Sequence, residues 1–170
     1  RQYGSIIRDK KKLACEGFVD NGTNWLKTED GSYGTTTLMG KMISLGLNKY
    51  ATLDAYGMGV EMEGGKPGWN DAMNGLPGLL GSGMSETLEL KRLVTFIINN
   101  VAKVDEIELP IEINDYILRV YAYTNKLLNK EMDNFTYWDT VATIREEYRE
   151  EVRYCLNGEY VTVGTSQVKE

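Results

Sequence analysis

Apolar positions in the second half of the chain recur with helical spacing. Leu90, Leu93, Val94, Ile97, Ile98 and Val101 fall at i, i+3, i+4, i+7, i+8 and i+11, along one face of a helix. Ser82 or Ser85 is the expected cap, and Glu86 suits the positive end of the dipole in the first turn. A second stripe runs through Ile113, Tyr116, Ile117, Val120, Thr124, Leu127 and Leu128, with Pro110 opening its first turn. A third runs through Trp138, Val141, Ile144, Tyr148, Val152 and Cys155, with Asn134 or Thr136 as cap. The outer face of this third helix is a charge ladder from Arg145 to Arg153, the pattern of a solvated surface. Asn157-Gly158 reads as its stop signal, and the alternation from Glu159 to Val163 predicts a short strand.

The first half is less regular. Ile6 to Phe18 predicts a helix, with Lys10-Lys11-Lys12 as a solvated turn of it. Asp20 to Gly34 is rich in turn signals. Thr35 to Leu47 returns to helical spacing through Leu38, Met42 and Leu45, and a further turn or two is expected from Asn48 to Tyr56. Residues 57–83 then form a glycine-rich loop. All the glycines except Gly158 and Gly164 lie between Gly4 and Gly83. A connection this long inside a helical chain is either functional or disordered. Met58, Val60, Met62, Trp69, Met73, Leu76, Leu79 and Leu80 make it too apolar to stay solvated. Met58, Met62 and Met73 read as gap fillers beneath it, and Trp25 and Trp138 as packing residues.

The expected fold is therefore mainly all-α, one unit over 1–170, with a long loop and a short β element near the C-terminus. With 170 residues the chain can bury roughly 70% of its unfolded surface, enough to fold without a disulfide or metal staple. The net charge of −6 argues against nucleic acid or an anionic membrane as the main partner, since both need clustered cations. The acidity is uneven: residues 1–85 hold nine cations and nine anions, residues 86–170 ten and sixteen. No apolar run is long enough to span a membrane, and no signal-peptide pattern opens the sequence. Histidine is absent, which excludes Ser-His-Asp and Cys-His centres and His-based metal sites made from this chain alone. Cys15 and Cys155 sit in no CxxC motif and read as reduced thiols, in keeping with a cytoplasmic location. The chain starts without Met and ends without a closing motif, and reads as an excised piece of a longer protein.

The candidate chemistry is gathered in the glycine-rich loop. It holds three carboxylates (Glu61, Glu63, Asp71), a cation (Lys66), two amides (Asn70, Asn74) and the indole of Trp69. Flat aromatic faces and planar polar groups are what a sugar needs, for its C–H surface and its hydroxyls. On the residues alone Asp71 also suits a turn or an N-cap through Ala72 and Met73, and Glu61 and Glu63 read as solvated loop charges at least as well as sugar ligands.

The stretch Gly65-Lys66-Pro67-Gly68-Trp69-Asn70-Asp71-Ala72-Met73-Asn74-Gly75-Leu76-Pro77-Gly78 resembles the catalytic segment of the cellobiose phosphorylase family, most strongly at Trp69-Asn70-Asp71. The resemblance extends outward through Thr35 to Leu47 and Ser82 to Ile98. It implies an (α/α)6 toroid, of which this chain would be a fragment with residues 57–83 as active-site loop. It implies an inverting phosphorolysis of a β-linked, cellobiose-like gluco-oligosaccharide to a sugar 1-phosphate. Asp71 would be the general acid, with Trp69, Asn70, Glu63, Lys66 and Asn74 toward the substrate. No cofactor is implied, and inorganic phosphate is the co-substrate. Better-known members carry an aspartate where this chain has Gly68, and their phosphate site uses a histidine from another segment. The remainder of the parent enzyme is thus an expected partner. Helix faces left open by its absence would invite self-association. An inverting hydrolase on the same fold, which needs a second carboxylate, and a non-catalytic helical module that binds sugar or protein remain the alternatives.

Overall fold

The structure, a computed structural model, describes Lys10, residues 25–61 and residues 81–166. The expected helix at Ile6–Phe18 lies outside the described residues, apart from Lys10, which is helical. The rest is mainly helical, with short strands at the margins. In chain order the elements are β1 (Lys27–Thr28), α1 (Leu38–Tyr50), β2 (Val60–Glu61), β3 (Ser82–Gly83), α2 (Met84–Val101), β4 (Glu106–Pro110), α3 (Ile111–Leu128), α4 (Asn134–Glu151), β5 (Cys155–Leu156) and β6 (Tyr160–Gly164).

The two long antiparallel arms α3 and α4 pack on each other, and α1 packs on α2. Ile113, Tyr116 and Val120 of α3 meet Val141, Ile144 and Tyr148 of α4 in one core with Ile43, Ile97 and Val101. The Tyr116 and Tyr148 rings stack with centroids 4.4 Å apart. In α1 a Cβ on Gly46 would lie 3.2 Å from Ile97 Cδ1, so the glycine lets α1 approach α2 closely. The strand β4 seals the bottom of this core. Its Glu-Ile-Glu-Leu-Pro alternation turns Ile107 and Leu109 inward and both glutamates outward. It pairs antiparallel with β6, from Glu106↔Gly164 to Pro110↔Tyr160. The expected strand at Glu159–Val163 is therefore present as β6. Its partner β4, equally short, carries the same alternation in Glu106-Ile107-Glu108-Leu109 but went unpredicted between two helical stripes.

Several local expectations are corrected. Neither serine caps α2: its N-cap is Gly83, with no side-chain bond. The cap of α4 is Asp133, which accepts from the Phe135 and Thr136 amides, in place of Asn134 or Thr136. Pro110 stands one residue before α3, as the last residue of β4. The helix α4 ends at Glu151, and Cys155 belongs to a strand paired in parallel with β1. Gly158, with φ of 97°, makes a turn between strands instead of a helix stop. In α1 the buried face is Gly40, Ile43 and Gly46, so Leu38 and Leu45 face solvent. Leu128 and Ile98 are likewise exposed. Trp25 does not pack inside: it is 70% exposed and meets the Tyr33 ring edge-on. No described helix is long and apolar enough to cross a membrane.

Candidate functional site

The candidate residues Asp71, Trp69, Asn70, Glu63, Lys66 and Asn74 all lie outside the described residues, as does the segment 62–80 that carries them. The structure does describe both ends of that segment and the frame that holds them. Val60 pairs with Gly83 and Glu61 with Ser82, in antiparallel register. The chain on either side of residues 62–80 is thus joined at one place, through a two-residue ladder.

That root is built by the turn after α1. Helix α1 stops at Tyr50, and the chain doubles back so that Leu53 bridges Val60. Asp54 holds the turn closed. Its Oδ1 accepts from the Tyr56 and Met58 amides, each at 3.0 Å. Its Oδ2 accepts from the Gly59 amide at 2.9 Å and from Ser82 Oγ at 2.8 Å. The last of these ties the outgoing end of the loop to the returning end. Burial pushes the Asp54 pKa up, but the bonds from Met58, Ser82, Tyr56 and Gly59 outweigh it and hold the carboxyl below its ordinary value. Gly57 takes the left-handed conformation at φ 67°, which a residue with a Cβ adopts only under strain. Gly59 is required by contact: a Cβ there would lie 2.5 Å from Ser82 Oγ.

A second fastening comes from α4. Arg145 was expected on a solvated charge ladder, yet it is only 8% exposed. Its Nη2 meets Glu61 Oε1 at 2.8 Å, its Nη1 donates to the Ala51 carbonyl at 3.2 Å, and its Nε reaches Glu146 at 3.0 Å. Glu61 is therefore no solvated loop charge. Its side chain is 14% exposed and anchors β2 to the α3–α4 pair. The planar guanidinium serves three acceptors at once, a geometry that lysine could not supply. The rest of the ladder behaves as expected, with exposed i,i+3 pairs Arg149–Glu146 and Arg153–Glu150.

Beside this root a cavity of about 250 Å³ opens between the end of α1, the 51–57 turn and the facing ends of α3 and α4. Tyr50, Tyr56, Tyr137 and Trp138 line it, together with Asn134 and Asp54. At its floor the Tyr137 hydroxyl donates to Tyr50 Oη at 3.0 Å, and Thr124 Oγ1 lies 3.0 Å from Tyr137 Oη. Burial raises the Tyr137 pKa, helped by the neighbouring Tyr50, so the Tyr137 hydroxyl stays neutral over the physiological range. Trp138 is half-buried and packs at a tilt on Phe135, which agrees with its reading as a packing residue and adds a face toward the cavity. Among the described residues, no group of three or more carboxylate or thiol side chains is placed to hold a metal ion.

The sequence pattern did not point to Asp54, Arg145 or the tyrosine cluster. Asp54 had a local signal, an aspartate two residues before Tyr56-Gly57, which is turn chemistry. Arg145 had none, because only its partner across the fold distinguishes it from Arg149. No protein-family model and no curated protein matches the chain.

Proposed function

We propose that this chain is a segment of a carbohydrate-active enzyme that cleaves a β-linked gluco-oligosaccharide with inorganic phosphate. Asp71 is the general acid of that reaction, and the helices form part of an (α/α)6 toroid. The observation that carries the reading is the position of the Trp69-Asn70-Asp71 motif between two ends locked in register at Glu61↔Ser82. A catalytic acid has to be held within a fraction of an ångström of its bond. Four hydrogen bonds on Asp54 and the buried Glu61–Arg145 pair fix the ends at Glu61 and Ser82 between which the motif lies in sequence.

In this chemistry Asp71 gives its proton to the glycosidic oxygen as the bond to the anomeric carbon breaks. A phosphate oxygen attacks that carbon from the opposite face, and the products are an inverted sugar 1-phosphate and the shortened sugar. Phosphate takes the place of the water that an inverting hydrolase would activate, so a second carboxylate is unnecessary. Asp71 must be protonated near neutral pH, well above the unperturbed value of about 3.9. Each unit of that rise costs about 1.4 kcal/mol, supplied by an apolar wall such as Trp69 and by the incoming phosphate charge.

The test is sugar 1-phosphate release by the complete polypeptide from cellobiose and longer β-glucosides, with and without phosphate, beside Asp71→Asn. Phosphate-dependent product that vanishes in the variant is expected. Turnover unchanged in Asp71→Asn overturns the assignment of the acid. Reducing sugar formed equally without phosphate replaces the reading with a hydrolase, and no turnover on any sugar replaces it with a binding module.

A further inference from the structure

We infer that the cavity beside the loop root is a subsite for one neutral pyranose ring, in addition to anything the 65–78 motif contributes. The inference rests on the carbohydrate reading above and assigns substrate contacts to residues outside the motif.

Size is the first reason. At about 250 Å³ the cavity is smaller than the roughly 300–1,000 Å³ that takes a drug-sized ligand, and it suits one six-membered ring. The character of the walls is the second. Trp138 and Tyr56 offer flat faces for the C–H side of a sugar, and Tyr56 is 77% exposed, so its ring is accessible. The Trp138 indole N–H, the Asn134 carboxamide and the Tyr56 hydroxyl make no hydrogen bond among the described residues, and each can meet a sugar hydroxyl. Charge is the third. Among the described lining residues there is no lysine or arginine, which favours a neutral occupant over phosphate. Among the described lining residues the ionised group is Asp54, which is committed to the turn by bonds to both oxygens. Preorganisation is the fourth. The floor is fixed by the Tyr137, Tyr50 and Thr124 hydroxyls, and the rim that carries Tyr56 is fixed by Asp54.

Binding of glucose and cellobiose to the complete polypeptide, carrying Asp71→Asn so that nothing turns over, is measured by calorimetry. The substitutions Asn134→Ala, Tyr56→Ala and Trp138→Ala are then added singly. Asn134 and Tyr56 are exposed, so their variants keep the fold even if the Trp138 variant does not. Asn134→Ala should weaken sugar binding about fivefold through one lost hydrogen bond, and Trp138→Ala about tenfold through the lost stacking face. With Asp71 intact, Asn134→Ala should raise KM for cellobiose by a similar factor. Normal phosphorolysis with unchanged KM and affinity in both Asn134→Ala and Tyr56→Ala overturns the subsite and leaves the catalytic reading standing. Sugar binding that these variants weaken, without any turnover in the unmutated protein, upholds the subsite and removes the catalytic reading. Absence of sugar binding altogether overturns the subsite, as does equal binding of a free apolar amino acid, which would mark the cavity as a peptide side-chain pocket.

Discussion

Along α3 and α4, order comes from burial. Ile113, Tyr116, Val120, Val141, Ile144 and Tyr148 meet in a buried seam, each no more than 8% exposed. In the neighbouring turn at residues 51–61, order comes from polar fastenings. Asp54 gathers three amides and a hydroxyl, Glu61 meets Arg145, Gly57 takes a left-handed φ that side chains rarely adopt, and Gly59 allows a close approach to Ser82 that a Cβ would block. Apolar burial is non-directional and tolerates small shifts, so it suits a scaffold. Hydrogen bonds and ion pairs fix direction and register, so they suit the turn that sets β2 beside β3. The two regions meet at Arg145, whose backbone belongs to the scaffold and whose side chain belongs to the root.

Arg145 is where the contrast breaks with the largest effect. Arg145→Ala breaks the buried ion pair with Glu61 and the bond to the Ala51 carbonyl, and should destabilise the protein by about 3–5 kcal/mol in chemical denaturation. A Glu61→Met, Arg145→Met double variant removes both charges and should recover most of that loss. If the double variant is as unstable as the single one, the pair is not what joins root to scaffold. Next comes Ile144→Ala, in the seam at 2% exposure. It should cost about 3 kcal/mol through lost burial and the cavity left behind. Amide exchange should separate the two cases: the core variant lowers protection throughout α3 and α4, while the Arg145 variant lowers it first at residues 52–61. Equal loss everywhere in both would mean that scaffold and root unfold as one unit.

The smallest effect sharpens the comparison through pH. The folded Asp54 carboxyl titrates below its ordinary value, so it contributes stability above the unfolded pKa of about 3.9 and loses it as pH falls through the folded value. Asp54→Asn should therefore cost about 2 kcal/mol at neutral pH, the worth of hydrogen bonds to a charged acceptor. The gap from wild type should be constant above pH 5 and close as pH falls below 4. A gap that stays constant down to pH 2 would show that the Asp54 charge plays no part in the turn.

Much of the scaffold was legible because its signal is periodic. The stripes from Leu90, Ile113 and Val141 onward each found their helix, and the alternation after Glu159 found β6. Ends were less legible, because several polar residues compete for each cap. Asp133 took the place offered by Asn134 and Thr136, and no side chain capped α2 at all. Of the candidate site, the sequence singled out the loop and its motif, while the motif's side chains lie outside the described residues. Only residues near the two ends of the expected 57–83 loop are described, and there Val60–Glu61 pairs with Ser82–Gly83.

The sequence by itself determined a mainly helical chain, because helical periodicity is a local property. Only the tertiary structure decided that Arg145 is buried while Arg149 is solvated, that Glu61 is an anchor, and that Tyr50, Tyr137 and Trp138 share one cavity. Those facts depend on which residues far apart in sequence come within a few ångströms of one another. A charge looks the same in sequence whether its partner across the fold is water or a carboxylate.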